Sequence, residues 1–190
     1  MIDFSDEASR NAFRHTSAHI LAQAVKRLYP ATLLAIGPAI ENGFYYDFDR
    51  AEPFTADELN QIEEEMRRIV RDHLPVERFE LPRAEARELM LQKGEPYKVE
   101  LIDDLPADAV ISFYRQGDFT DLCAGPHLAN TAEVRAFKLT QVAGAYWRGN
   151  EKNKMLQRIY GTSFPDKQQL KEYLDRQEEA RKRDHNKIGR

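Results

Sequence analysis

The sequence predicts an α+β fold: an antiparallel sheet packed with helices, with a smaller inserted α/β subdomain. Two observations carry this. Tight-turn signals recur at Asn42-Gly43, Gln116-Gly117-Asp118 and Gly149-Asn150, each between apolar runs, and such turns join antiparallel strands. Helical segments with capping signals interleave with these runs instead of alternating regularly with single strands. At 190 residues, 42% hydrophobic and 32% charged, the chain has the composition of a globular domain rather than of a disordered or fibrous one.

The elements follow in order. Ser5, Asp6 and Glu7 supply a cap and first-turn negative charge for a helix that ends at Pro30. In it Ile20, Leu21, Ala24, Val25 and Leu28 recur at helical spacing, with His15 and His19 side by side at the margin of that stripe. Residues 33–48 read as extended, broken at Gly37-Pro38 and at Asn42-Gly43. Thr55-Ala56-Asp57-Glu58 is a capping box opening a helix that buries Leu59, Ile62, Met66, Ile69 and Val70. A short strand at 76–81 precedes a helix at 84–93 stopped by Gly94. Hairpins are expected at 109–114 with 119–123, and at 134–146 with 155–162, before a closing helix from Pro165 with Leu170, Tyr173 and Leu174 on one side. The domain reading is 1–50 and 106–165 as a core, 51–105 as the smaller subdomain, and 166–190 as a C-terminal helix and linker.

The formal net charge of -4 argues against a strongly basic, non-specific nucleic-acid binder, although 28 Lys and Arg leave room for a local basic surface. One cysteine excludes an intramolecular disulfide and fits a reducing compartment. The acidic start is unlike a signal peptide, and no apolar run approaches the roughly 20 residues of a membrane span. A soluble cytoplasmic protein without membrane contact is expected. Walker, Rossmann and Gly-x-Ser-x-Gly patterns are absent.

The sharpest chemical signal is a pair of short motifs. His15-Thr16-Ser17-Ala18-His19 sets two imidazoles one helical turn apart. Cys123-Ala124-Gly125-Pro126-His127 has the same spacing, but Pro126 forbids an ordinary helix, so Cys123 and His127 must converge around a turn. Three of the five histidines and the single cysteine thus form a set with zinc-ligand chemistry, with Asp121 two residues ahead. Each motif alone also reads blandly, as a surface histidine pair or a small buried thiol. The two are expected to meet, the Cys123 turn facing the His15 helix across an antiparallel sheet. Weaker signals surround them. One of Tyr45 and Tyr46 must face away from the core. Lys98, in Tyr97-Lys98-Val99-Glu100, reads as a strand lysine that only its neighbours could make catalytic. Tyr146-Trp147-Arg148-Gly149-Asn150 suits base stacking at a hairpin tip, or is a turn with exposed aromatics. Arg181-Lys182-Arg183, Lys187 and Arg190 suit phosphates, or a solvated helix end.

Arg14 to His19, Ile36 to Ile40, Asn42 to Asp47, Asp121 to His127, Ala143 to Gly149 and Met155 to Thr162 together resemble the editing domain of bacterial threonyl-tRNA synthetases, the region shared with alanyl-tRNA synthetases and their free-standing relatives. The resemblance covers nearly the whole chain, and residues 182–190 resemble the linker into the aminoacylation core. It implies hydrolysis of seryl-tRNA made by mistake on threonine tRNA. A hydrophobic pocket discriminates one methyl by only about 1–3 kcal/mol, so a second sieve is needed. Carried over residue by residue, His15 and Lys98 would hold or activate water, His19, Cys123 and His127 would complete the pocket, Asp121 would meet the serine, and Tyr46 would bound the pocket or contact the terminal adenosine.

The resemblance also implies partners: the 3′ end of tRNA(Thr) carrying serine, and the rest of a synthetase chain that is a homodimer at full length. Family members of this type carry a small ubiquitin-like domain ahead of this region, and the class II motifs lie beyond residue 190. This chain therefore reads as a piece of a longer synthetase, or else as a free-standing editing protein, without aminoacylation of its own. ATP, Mg and that core's own Zn are expected only there. The alanyl branch uses the quartet His15, His19, Cys123 and His127 as zinc ligands, whereas the threonyl branch works without metal there. A metal-free pocket is expected, with an alanyl-type zinc deacylase or a non-catalytic zinc and tRNA-positioning module as alternatives.

Overall fold

The computed structural model describes residues 2–188. Helix α1 (Glu7–Leu28) is capped by Asp6, which accepts the Ser9 N–H, and not by Ser5, whose hydroxyl is spent on Asp3. Phe13, Ala18, Ile20, Leu21, Ala22, Ala24 and Val25 are all fully buried. The helix therefore runs through the centre of the molecule, and the expected apolar stripe with a histidine margin does not exist. Its polar residues Arg14, Thr16, Ser17, His19 and Gln23 are buried as well, and buried polar groups need partners from elsewhere in the chain.

Strands β1 (Leu33–Leu34) and β2 (Ala39–Ile40) both pair with the edge of β3 (Gly43–Asp49). Asn42 takes the left-handed conformation of the β2–β3 turn at φ 61°, while Gly43 already pairs with Ile40. Gly43 is needed for a different reason: a Cβ there would collide with the Gly161 carbonyl oxygen of the neighbouring strand. Backbone cannot retreat as a side chain can, so Gly43→Ala is expected to cost about 1–3 kcal/mol. The check is a lower urea midpoint at unchanged slope, and an unaltered midpoint would contradict it.

Helix α2 (Ala56–Arg71) opens with the complete Thr55–Glu58 capping box and sends Ile62, Met66 and Ile69 into the core around α1. Strand β4 (Glu77–Glu80), α3 (Arg83–Gln92) and α4 (Pro96–Asp104) follow. Residues 97–100 are thus helical, not extended. Pro96 stands in the first turn, where its fixed φ favours a helix and its missing N–H costs nothing.

Strands β5 (Ser112–Gln116) and β6 (Phe119–Leu122) form the expected hairpin, starting three residues later than predicted, and join β4 in a three-stranded antiparallel sheet ordered β4-β5-β6. Their core is Ala86, Met90, Val99, Ile102, Ile111 and Phe113. The packing therefore groups residues differently from the 51–105 segment. The α2 helix belongs to the α1 core, which Phe119 of β6 also enters, whereas β5 pairs with β4 and β6 and packs Phe113 with the two short helices.

Strands β7 (Ala136–Tyr146) and β8 (Met155–Phe164) complete the larger sheet, ordered β1-β3-β8-β7 with β2 also on β3. At the tip between them Tyr146 is exposed, but Trp147 is not. Trp147 is 5% exposed, packs with Ala35, Leu156, Tyr97 and Leu101, and donates its Nε1–H to Glu100. Arg148 pairs with Asp104. This third cluster ties α4 to the larger sheet. Helix α5 (Lys167–Ile188) packs Tyr173 on Phe164 and is otherwise largely exposed, Arg181, Lys182 and Arg183 included. Arg190 and the side chain of Lys187 lie outside the described residues. Among those described, no helix is long and apolar enough to cross a membrane.

Candidate active site

The α1 helix supplies His15, Thr16 and His19. Leaving β6, the chain passes through Cys123, whose N–H still donates to the Ser112 carbonyl and whose own carbonyl accepts the Ser112 hydroxyl. It then turns at Gly125, where φ is 78° and a side chain would strike the Tyr114 hydroxyl. After Pro126 it returns His127 to α1, with ring centroids 4.3 Å from His15 and 4.2 Å from His19. The two motifs meet as expected, but in direct contact, with no strand between them. The Leu128 N–H donates to Thr16 Oγ1 and clamps the loop onto the helix. The Cys123 Sγ lies 3.2 Å from both His15 Nε2 and His127 Nε2 and accepts the Gly125 N–H.

Asp121 is the second centre. It is 2% exposed and faces three groups from three elements. The Tyr46 hydroxyl donates to its Oδ2 at 2.6 Å, and His19 Nε2 lies 3.3 Å from the same oxygen. Lys98 Nζ is 2.9 Å from Oδ1, placed for charge pairing and not along a hydrogen-bond direction. Lys98 is itself 3% exposed, so the expected solvated strand lysine is a buried helix lysine. It reaches Asp121 because α4 is docked on the larger sheet. Tyr46 is completely buried behind Asp121 and holds that carboxylate; it does not border the cleft. Tyr45, on the opposite face of β3, stacks under Arg158 instead.

Burial sets the protonation of the imidazoles. Desolvation pulls His15 below the usual histidine range, His19 far below it, and His127 strongly down, with the neighbouring imidazoles adding to the last two. All three are neutral at pH 7. Burial pushes the Cys123 thiol up to about 12, so it keeps its proton. It raises the Tyr46 hydroxyl well above its ordinary value, with the Asp121 charge adding to the effect.

A cleft of about 200 Å³ opens between these groups, lined by the polar His15, His19, Lys98, Asp121 and Cys123 and by the apolar Ile36, Pro38, Leu101 and Leu122, with Gly37 and Ala124. Hollows of about 500–590 Å³ lie elsewhere, but none of the three is lined by histidine or cysteine. Gly37 has a local reason: a Cβ there would enter the Tyr46 ring.

The predicted residues His15, His19, Tyr46, Lys98, Asp121, Cys123 and His127 therefore all converge. Thr16 was not singled out, although its place between the two histidines is the signal that could have found it. The same four side chains could hold a metal. Their ligand atoms lie within 4.8 Å of one another, against the roughly 3.3–3.6 Å separations of a closed zinc tetrahedron. His19 Nδ1 is buried with no hydrogen-bond partner, as a free ligand lone pair would be.

Residues 111–160, which hold Asp121, Cys123 and His127, match the family model described as the threonyl and alanyl tRNA synthetase second additional domain. Over all 190 residues the chain is 65% identical to the threonine–tRNA ligase of Acetivibrio thermocellus. It is 63% identical to that of Clostridium tetani and 62% to that of Clostridioides difficile, again over its full length. Residues 111–160 are thus a stretch of the threonyl- and alanyl-tRNA synthetase second additional domain, and the chain as a whole is similar to one part of the threonine–tRNA ligases. It spans 30% of the length of the curated relatives it matches. Within the matched stretch, this second additional domain supplies the thiol loop and Asp121, whereas His15, Tyr46 and Lys98 come from the residues ahead of it.

Proposed function

We propose that this chain hydrolyses the ester of seryl-tRNA(Thr), the editing reaction of a threonyl-tRNA synthetase. The observation that carries the reading is Asp121, held by Lys98, Tyr46 and His19 at a small cleft that His15 and Cys123 also line. Ester hydrolysis needs a positioned water, an acceptor for its proton, and donors near the oxyanion. A neutral His15 is an acceptor at pH 7, Lys98 is a donor, and the Asp121 carboxylate suits the ammonium or hydroxyl of a bound serine. Ile36 and Pro38 are the lining residues against which an extra methyl would be refused. In this reading the 3′ end of tRNA and the remainder of a dimeric cytoplasmic synthetase are the partners.

The chemistry of the quartet favours a second reading. The buried lone pair on His19 Nδ1 and the adjacent thiol and imidazoles suit a zinc ion held by His15, His19, Cys123 and His127. Such an ion would supply Lewis acidity or a structural anchor. We favour the metal-free pocket, because Cys123 already has two imidazole partners and an amide partner without one.

Purified protein offered seryl-tRNA(Thr) and threonyl-tRNA(Thr), with and without chelator, separates these readings. Rapid loss of serine alone, unaffected by chelation, is expected. Replacing His15 or Lys98 by alanine is expected to slow that loss by roughly a hundredfold or more. Wild-type rates in both variants would overturn the assigned roles, and activity abolished by chelator would favour zinc.

A further inference from the structure

Thr16 has no part in the reading above, yet its hydroxyl is fully buried at the contact between the α1 helix and the thiol loop. It has two hydrogen-bonding neighbours among the described residues: the Leu128 N–H at 2.9 Å and His127 Nδ1 at 3.0 Å. A hydroxyl owns one proton and two lone pairs. The amide of Leu128 can only donate, so it takes a lone pair. Were His127 Nδ1 also protonated, it would take the other, and the hydroxyl proton would be buried with no acceptor. That arrangement is costly in a dry interior. Placing the hydroxyl proton on His127 Nδ1 satisfies every group.

We propose that Thr16 is a positioning residue for His127, fixing it in the tautomer that carries hydrogen on Nε2 and aiming that N–H at Cys123. The consequence runs along the contacts. With the His127 Nε2–H and the Gly125 N–H both directed at Cys123 Sγ, the thiol proton is left to point at His15 Nε2. Thr16 thereby sets the direction of a chain of four groups that ends on His15, the imidazole assigned to the water, and so fixes the ring proton of that imidazole on Nδ1. This last step rests on the deacylase reading; the tautomer does not. The logic is that of any imidazole whose far nitrogen is held by a neighbour: the held atom decides what the other can do.

The test uses the whole chain, chelator-treated and labelled with ¹⁵N in its histidine rings, as wild type, Thr16→Ser and Thr16→Val. Nitrogen shifts of His127 are expected to show Nε2 protonated in the wild type and in Thr16→Ser. In Thr16→Val, which has the shape of threonine without the hydroxyl, the population is expected to move towards protonated Nδ1. The kcat for seryl-tRNA hydrolysis is expected to fall by roughly ten- to a hundredfold in Thr16→Val, with KM little changed, and to recover in Thr16→Ser. A wild-type His127 protonated on Nδ1 overturns the proposal, even if Thr16→Val does not fold. So does Thr16→Val with the wild-type tautomer. A shifted tautomer with wild-type kcat overturns the link to deacylation, and a chain with no deacylase activity leaves the tautomer measurement to decide the rest.

Discussion

Asp121→Ala is expected to lower the stability of the chain by about 3–5 kcal/mol and to abolish hydrolysis of seryl-tRNA. The large figure comes from what the substitution leaves behind. Lys98 is as buried as Asp121 and has this carboxylate as its partner at 2.9 Å. Removing one member of a buried pair strands the other charge in a medium that solvates it poorly, and that loss exceeds the net worth of the pair itself. The Tyr46 hydroxyl and His19 Nε2 lose their acceptor at the same time. The diagnostic measurement is a double-mutant cycle in urea. Adding Lys98→Met to Asp121→Ala removes the stranded charge, so the double variant is expected to be more stable than Asp121→Ala alone. Additive losses would mean that the two side chains are not energetically coupled. Hydrolysis is expected to be absent from the two variants that lack Asp121, because the cleft loses the group that faces the serine, and to be slowed in Lys98→Met.

Acid is expected to unfold the chain from a higher pH than its carboxylates alone would require. His15, His19 and His127 are held below the histidine range in the fold, but titrate near 6.5 when unfolded. Above that value neither state binds the protons and the full stability is present. Below it the unfolded chain takes up protons that the fold refuses, so stability falls with falling pH. The slope is about 1.4 kcal/mol per pH unit for each histidine that stays neutral in the fold. The clean window is pH 7 to 5. At lower pH, Asp47 and Glu95, both raised by burial, begin to take up protons in the folded state and oppose the trend. Urea midpoints measured across that window should fall steeply, and a flat profile would mean that the imidazoles are protonated in the fold or reached by water.

Much of the molecule was legible in the residues themselves. The Thr55–Glu58 box, the Gly94 stop and the three hairpin turns are local devices, each acting over a few residues, and each appears where it was read. The convergence of Cys123 and His127 was legible because Pro126 leaves the chain no helical option. Errors fell where local pattern and packing disagree. Residues 97–100 look extended to a period-two eye because Tyr97 and Val99 alternate with charges, but the stretch is a helix that buries Val99 and Ile102 on one cluster and Tyr97 and Leu101 on another. Trp147 looks like an exposed stacking group because it sits at a turn, and is buried because α4 lies over it.

The sequence by itself determined the inventory of chemistry: three imidazoles, one thiol, and the proline turn that brings two of the four together. Its hairpin turns and helix caps also determined the class of fold. Only the tertiary structure decided that Lys98 and Asp121 are a buried pair, that Tyr46 supports Asp121 from behind, and that Thr16 governs His127. The physical reason is distance along the chain. Tyr46 and Asp121 are 75 positions apart and Thr16 and His127 are 111 apart, and no spacing rule reaches across three separate hydrophobic clusters to say which buried polar group will find which partner.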